Sequence, residues 1–248
     1  MNLKEFFVKN PRVAVAFSGG VDSAYLLYAA KKYATNVCAY YVKSDFQPQF
    51  ELDDAIKLAK ELDAEMKIIN LDILSVPFVK ENPENRCYYC KKAIFSAIIN
   101  EAKKDRYKVL IDGTNASDDE NDRPGVKALR ELSVLSPLKE CGLTKSDIRK
   151  ESKEAGLFTW DKTAYACLAT RVATNEEITT EKLSATECAE KYLLSLGFTD
   201  FRIRLKNGVG KIQINEVQMP LIIKNRKRIL KFLKKYYDSV VLDLEVRS

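Results

Sequence analysis

The sequence predicts an α/β protein, a parallel sheet flanked by helices and followed by a small C-terminal α+β domain. Three observations carry this. Short apolar, β-branched runs alternate with helical periodicity from residue 12 to about residue 135, the pattern of βαβ units. The character changes after Arg171, where "ATNEEITTEKL" reads as a polar linker. Beyond it, apolar residues alternate around Asn207-Gly208, a hairpin signal. Domains are expected over 1–172 and 173–248.

The elements follow in order. "RVAVAF" reads as a buried strand, and helical spacing follows it over 21–33. "NVCAYYV" is a second strand. Residues 50–62 place Leu52, Ala55, Ile56, Ala59 and Leu62 on one helix face. "EMKIIN" is a third strand, 91–104 a helix, and "KVLIDG" a fourth strand. "SVLSPL" is expected to add a short fifth strand. Residues 144–155 read as a helix capped by Thr144. The second domain reads α-β-β-α-β: a helix over 181–196, the "FRIRLKNGVGKIQI" hairpin, a basic amphipathic helix over 221–237, and "SVVLDLEV" as a strand.

Composition narrows the chemistry. A chain of 248 residues can bury a full core as one large domain or two modest ones. "MNLKEFFVKN" has no apolar signal region, and no apolar run approaches the roughly 18 residues of a membrane span. A cytoplasmic location is the expectation. The net charge of +6 suits phosphate-bearing ligands or RNA, and equally a solvated lysine-rich surface. There is no histidine. Imidazole-dependent triads are therefore excluded, and any metal site must use Cys, Asp or Glu. The six cysteines are expected to stay reduced in the cytoplasm.

Ser18-Gly19-Gly20-Val21-Asp22-Ser23 sits where the first strand should end and a helix begin. The glycines permit a sharp turn and close approach of a ligand. Unpaired N–H groups at the helix N-terminus then face an anion, with the Ser18 and Ser23 hydroxyls beside them. The string is neither a Walker A loop nor a dinucleotide G-x-G-x-x-G. It matches the S-G-G-x-D-S loop of the PP-loop ATP pyrophosphatases, the adenine nucleotide alpha hydrolase-like fold. That resemblance implies ATP and Mg²⁺ as ligands and adenylation of an oxygen with release of pyrophosphate. Asp22 would coordinate Mg²⁺ or brace the loop by accepting backbone N–H bonds.

"NRCYYCK" holds Cys87 and Cys90 just ahead of the 91–104 helix, and "YACLATR" holds Cys167. A C-x-x-C pair directs two sulfurs at one metal or cluster face. Cys87, Cys90 and Cys167 together would hold a [4Fe–4S] cluster with one iron left for sulfide; structural zinc and free thiols are the alternatives. Cys38, within a strand, reads as a small buried hydrophobe. Cys188 reads as a packed helical residue, and Cys141 carries no role.

With "DGTNASDDENDRPG", "SPL", "GLTKSDIRKESKEAGL", "WDKTAYACLATR" and "RIRLKNGVGKIQI" in order, the chain resembles the LarE family over nearly its whole length. These ATP-dependent sulfur transferases convert a carboxylate of pyridinium-3,5-biscarboxylic acid mononucleotide to a thiocarboxylate, for the nickel-pincer cofactor. The resemblance implies a homohexamer. It also implies two sulfur strategies: sacrifice of one cysteine to dehydroalanine, or sulfide carried on a [4Fe–4S] cluster by the types with the C-x-x-C pair. This sequence is similar to the second.

By the same resemblance, residues Ser18 to Ser23 with Gly113 and Thr114 bind ATP, and Asp22 and Cys167 act in catalysis. Arg171, Arg202, Arg123 and Thr170 are its candidates for the substrate phosphate. Thr170 stands where the family usually has Ser. Gln213 stands where it often has Glu, Tyr89 where His is common, and Lys206-Asn207 replace a His-rich turn. The acidic run Asp118, Asp119, Glu120 and Asp122 reads as a solvated loop or a cation site. Trp160 reads as core or as a base-stacking platform. The "KNRKRILKFLKKYY" helix reads as solvated lysines over a packed face, as a subunit contact, or as an RNA-binding element.

The expected partner is a small nucleotide, with no nucleic acid and no membrane. The rival readings are a [4Fe–4S] tRNA thiolase, a nucleotide-binding regulator with zinc, and an amidating ligase.

Overall fold

The computed structural model describes residues 1–118 and 124–246. The chain forms two compact units. One comprises Met1–Val76 and Asn85–Ala164; the other comprises Pro77–Glu84 and the chain from Tyr165 onward.

The first unit opens with α1 (Leu3–Lys9), an element the sequence reading did not anticipate. It is short but closed by a capping box. The Asn2 side chain accepts from Glu5 N at 2.9 Å, and Glu5 accepts from Asn2 N at 3.1 Å. There follow β1 (Arg12–Ala16), α2 (Val21–Tyr33), β2 (Asn36–Lys43), α3 (Gln49–Glu61), β3 (Glu65–Asn70), α4 (Arg86–Lys104) and β4 (Val109–Ile111). Three helices complete it: α5 (Pro124–Glu131), α6 (Pro137–Glu140) and α7 (Lys145–Glu154). The α7 helix is capped by Thr144, as its sequence predicts.

The four strands are parallel in the order β3-β2-β1-β4. The central strands are buried on both faces, which is why they read as unbroken apolar runs. One face packs Phe6, Phe7, Leu26, Leu27, Tyr41, Leu58 and Ile148; the other packs Cys38, Tyr40, Phe95, Ile98 and Leu110. Because β1 pairs with β2 on one side and β4 on the other, the strand order reverses at β1. The carboxyl ends of β1 and β4 therefore border the crevice where α/β sheets bind ligands.

Two local expectations are corrected. "SVLSPL" forms no strand; only Leu135 bridges Ile111, and Pro137 then starts α6. Proline has no N–H to extend the ladder. Helix α4 starts at Arg86 rather than residue 91, so Cys87 and Cys90 lie on its first turn and not ahead of it.

The second unit contains α8 (Thr180–Ser195), β5 (Arg202–Lys206), β6 (Val209–Gln213), α9 (Met219–Leu233) and β7 (Ser239–Leu242). The basic α9 helix stops at Leu233, short of residue 237. Strands β5 and β6 are antiparallel, and β7 adds in parallel to β6. Asn207 and Gly208 both take positive φ, 48° and 74°, as a two-residue hairpin of type I′ requires. Leu193, Phe198, Ile203, Ile212, Ile229 and Leu233 form the core. Each such buried side chain contributes roughly 1.5–3 kcal/mol. The 77–84 segment joins this unit through Asn82, whose amide donates to Val172 O and Ala173 O at 3.3 and 2.8 Å.

Among the described residues, no helix is long and apolar enough to cross a membrane.

Candidate active site

In the first unit, Ser23 Oγ organises the turn after β1. It donates to Gly20 O at 3.1 Å, accepts from Ser18 N at 3.3 Å and lies 3.0 Å from Ser18 Oγ. Gly20 is the N-cap of α2, and no side chain caps that end. The first-turn N–H groups of Val21, Asp22 and Ser23 are thus left for an anion. Gly19 holds φ +74°, and a Cβ there would stand 3.1 Å from Ala55 Cβ. Gly113, at the end of β4, is tighter: a Cβ would meet Ser23 N at 2.9 Å. The two glycine positions let β4's end, the loop and α3 close on one another.

This closeness gives a prediction. Gly113→Ala is expected to push the loop backbone off its place and weaken ATP binding by roughly tenfold or more. Calorimetry with α,β-methylene-ATP checks it, and unchanged affinity would refute it.

Asp112 braces the β4 end. It accepts from Thr114 Oγ1 and Ser136 Oγ, both at 2.6 Å. Thr114 is therefore engaged with Asp112. Asp118 accepts from Asn115 N at 3.0 Å, and Asn115 Oδ1 accepts from Ser117 N at 2.8 Å, an Asx turn. Asp22 Oδ2 accepts from Lys145 Nζ at 2.6 Å, whereas Asp22 Oδ1 is buried without a hydrogen bond. Lys162 Nζ lies 2.7 Å from Asp54 Oδ2 and 3.4 Å from Gly19 O. Arg149 fixes the strand of chain that carries it, donating to Trp160 O and Lys162 O at 2.7 and 2.9 Å. Trp160 is half-buried with Lys153 Nζ 4.4 Å above its ring. Lys145 and Lys162 escaped the sequence reading.

Cys87 and Cys90, three residues apart on α4, share one helix face, with about 5–6 Å between Cβ atoms. Cys87 is exposed and Cys90 half-buried. Arg86 reaches Cys87 Sγ at 3.9 Å. Two thiols on one helical turn suit two corners of a cluster. Cys167 belongs to the second unit. Among the described residues, no three Cys, Asp or Glu side chains gather as a metal site. Burial, with Glu65 adding to it, pushes the Cys38 thiol up to about 11, which keeps it protonated and inert. Burial also raises Cys141. Cys188 is exposed on α8 rather than packed.

In the second unit, half-buried Cys167 caps a single helical turn, Leu168–Arg171. Its carbonyl accepts from Thr170 N at 3.0 Å and Thr170 Oγ1 at 2.8 Å. Arg171, an expected phosphate contact, holds this turn together. Arg171 is 1% exposed. It donates Nε and Nη2 to Glu190 at 2.8 and 3.1 Å, and Nη1 to Ala166 O and Thr170 Oγ1 at 2.8 and 2.9 Å. Glu190 also accepts from Ile203 N and from Tyr165, whose ring lies 4.6 Å from Arg171 and 5.3 Å from Arg202. Burial and Glu190 hold the Tyr165 phenol well above its ordinary range, so it remains a donor.

Thr170, Arg204, Lys206 and Lys211 line an open cavity of about 600 Å³ in this unit. Arg204 donates to Thr170 O and, at 3.0 Å, to Gln213, which in turn donates to Asp243 at 2.7 Å. Gln213 thus bridges Arg204 to Asp243. Arg202, the second expected phosphate residue, is buried and donates to Phe201 O at 2.7 Å. Arg123, with Asp119, Glu120 and Asp122, lies outside the described residues.

Residues 1–120 match the family model of the PP-loop domain. The chain is 34% identical to pyridinium-3,5-bisthiocarboxylic acid mononucleotide synthase of Lactiplantibacillus plantarum, over 94% of this chain and 86% of that protein. It is 33% identical to an uncharacterized protein of Methanocaldococcus jannaschii, over 99% of this chain and 94% of the relative. A tRNA-specific 2-thiouridylase of Clostridium botulinum is 26% identical over 60% of this chain and 52% of its own length. Full-length similarity to the synthase and the PP-loop match agree with the loop geometry at β1. The chain belongs to the LarE family of PP-loop ATP-dependent sulfurtransferases.

Proposed function

We propose that the protein adenylates a carboxylate of pyridinium-3,5-biscarboxylic acid mononucleotide and replaces a carboxylate oxygen with sulfur. The observation that carries this is the uncapped first turn of α2 behind Ser18-Gly19-Gly20, in a chain similar along its length to the synthase. The carboxylate oxygen attacks the α-phosphorus and pyrophosphate leaves. A sulfur nucleophile then attacks the acyl carbon, and AMP leaves with the oxygen. Loop N–H groups and the Ser18 and Ser23 hydroxyls take up charge on the departing pyrophosphate. Asp22 would hold Mg²⁺; its buried, unbonded Oδ1 fits a cation ligand.

Cys87, Cys90 and Cys167 would hold a [4Fe–4S] cluster, which supplies a site for exogenous sulfide. Support comes from the thiol pair on one turn of α4 and from the rigid turn beneath Cys167. By the family resemblance Thr170, Arg171 and Arg202 would receive the substrate phosphate; Thr170 and Arg171 line the cavity beside Arg204, and Arg171 also holds the turn. Family resemblance supports a homohexamer, which light scattering would read.

The test uses anaerobically reconstituted protein with Mg-ATP, sulfide and the biscarboxylate mononucleotide. Mass spectrometry is expected to detect repeated oxygen-to-sulfur exchange. The similarity to a 2-thiouridylase favours one second reading, a tRNA thiolase. ATP cleavage and sulfur incorporation with bulk tRNA, and none with the mononucleotide, would establish that reading instead. Such binding would weaken steeply with salt.

A further inference from the structure

The loop Ser18–Ser23 contains no lysine. A G-K-[ST] loop carries its own cation; this one must borrow. An incoming triphosphate also meets two carboxylates, Asp22 on the first turn of α2 and Asp54 on α3. Each already faces an ammonium group brought in from far along the chain. Lys145, at the start of α7, lies 2.6 Å from Asp22; Lys162 lies 2.7 Å from Asp54. Lys162 Nζ is also 3.4 Å from Gly19 O, so it stands against the loop backbone itself. Its side chain is 17% exposed and its main-chain carbonyl is held by Arg149.

We infer that Lys145 and Lys162 are the phosphate-binding cations of this site. Without nucleotide they neutralise Asp22 and Asp54. When the triphosphate arrives, both ammonium groups turn to its β- and γ-phosphates, which frees Asp22 for the divalent ion. Lysine suits this exchange. It is a compact charge on a flexible stem with three rotatable donors, and it can change partner without moving the backbone. The lysines bind the part of ATP that leaves, so they favour triphosphate and pyrophosphate over AMP. The inference rests on the nucleotide reading of the loop, not on the identity of the acceptor.

The experiment measures binding of Mg-α,β-methylene-ATP, Mg-pyrophosphate and AMP by calorimetry, for wild type, Lys145→Met, Lys162→Met and Asp54→Asn. Each lysine variant is expected to lose about ten- to a hundredfold for the first two ligands and less than about twofold for AMP. Asp54→Asn releases Lys162 from its carboxylate and is expected to keep or improve pyrophosphate affinity. If Lys162→Met and Asp54→Asn weaken all three ligands alike, the ion pair is a structural brace and the inference is overturned. Lysine variants that bind pyrophosphate as wild type does also overturn it, leaving the nucleotide reading intact. Wild-type protein that binds none of the three ligands overturns both.

Discussion

Cys167→Ala is expected to lower sulfur transfer by on the order of a thousandfold or more, while AMP and pyrophosphate still form. The loop proposed to bind ATP lies in the first unit, ahead of α2, and Cys167 belongs to the second. Cys167 instead caps a turn whose own carbonyl is doubly bonded by Thr170, which fixes where the thiol starts. A Cys87→Ala/Cys90→Ala double change separates the two ways that thiol can serve. If the three cysteines carry sulfide together, repeated turnover is lost with it. If Cys167 donates its own sulfur, one thiocarboxylate forms per chain and position 167 becomes dehydroalanine. Intact-protein mass spectrometry after a single turnover reads the difference. Undiminished multiple turnover in the double variant would remove Cys87 and Cys90 from the mechanism.

Legibility followed the range of the interactions. Strand β1 and the loop behind it were plain, because a strand buried on both faces and a double-glycine turn are local patterns. The start of α4 differs from residue 91 even though Asn85, a favoured N-cap residue type, stands just before Arg86; the Asn85 side chain makes no capping bond. Lys145 and Lys162 were missed because they reach the loop across 123 and 143 residues. The segment Pro77–Glu84 joins the second unit through Asn82 bonds 90 residues away, which no composition shift announces. Arg171 is a phosphate candidate only through the family resemblance, which says nothing of its ion pair. A signal of that pair is present: Leu183, Thr186, Glu190 and Leu193 recur at helical spacing on the buried face of α8. A carboxylate among apolar residues needs a cation, and Arg171 is that cation.

That ion pair sets the largest stability effect. Glu190→Ala is expected to cost about 3–5 kcal/mol, because it strands a buried guanidinium and removes the acceptor of Ile203 N and Tyr165. Thermal unfolding should fall by roughly 10 °C or more for a unit of this size. Glu190→Gln keeps an acceptor while losing the charge, so its loss should be smaller. Stability alone would not distinguish a brace from a positioning device, and a paired change does. Arg171→Met with Glu190→Leu replaces the buried charges by apolar volume, which often costs little. That variant also loses the Arg171 bonds to Ala166 O and Thr170 Oγ1, which tie down the turn under Cys167. It is expected to recover much of the unfolding temperature but not sulfur transfer, with ATP binding unchanged. Recovery of both would reduce the ion pair to a packing solution. Recovery of stability alone would make Arg171 the residue through which the second unit's core sets the position of the Cys167 thiol.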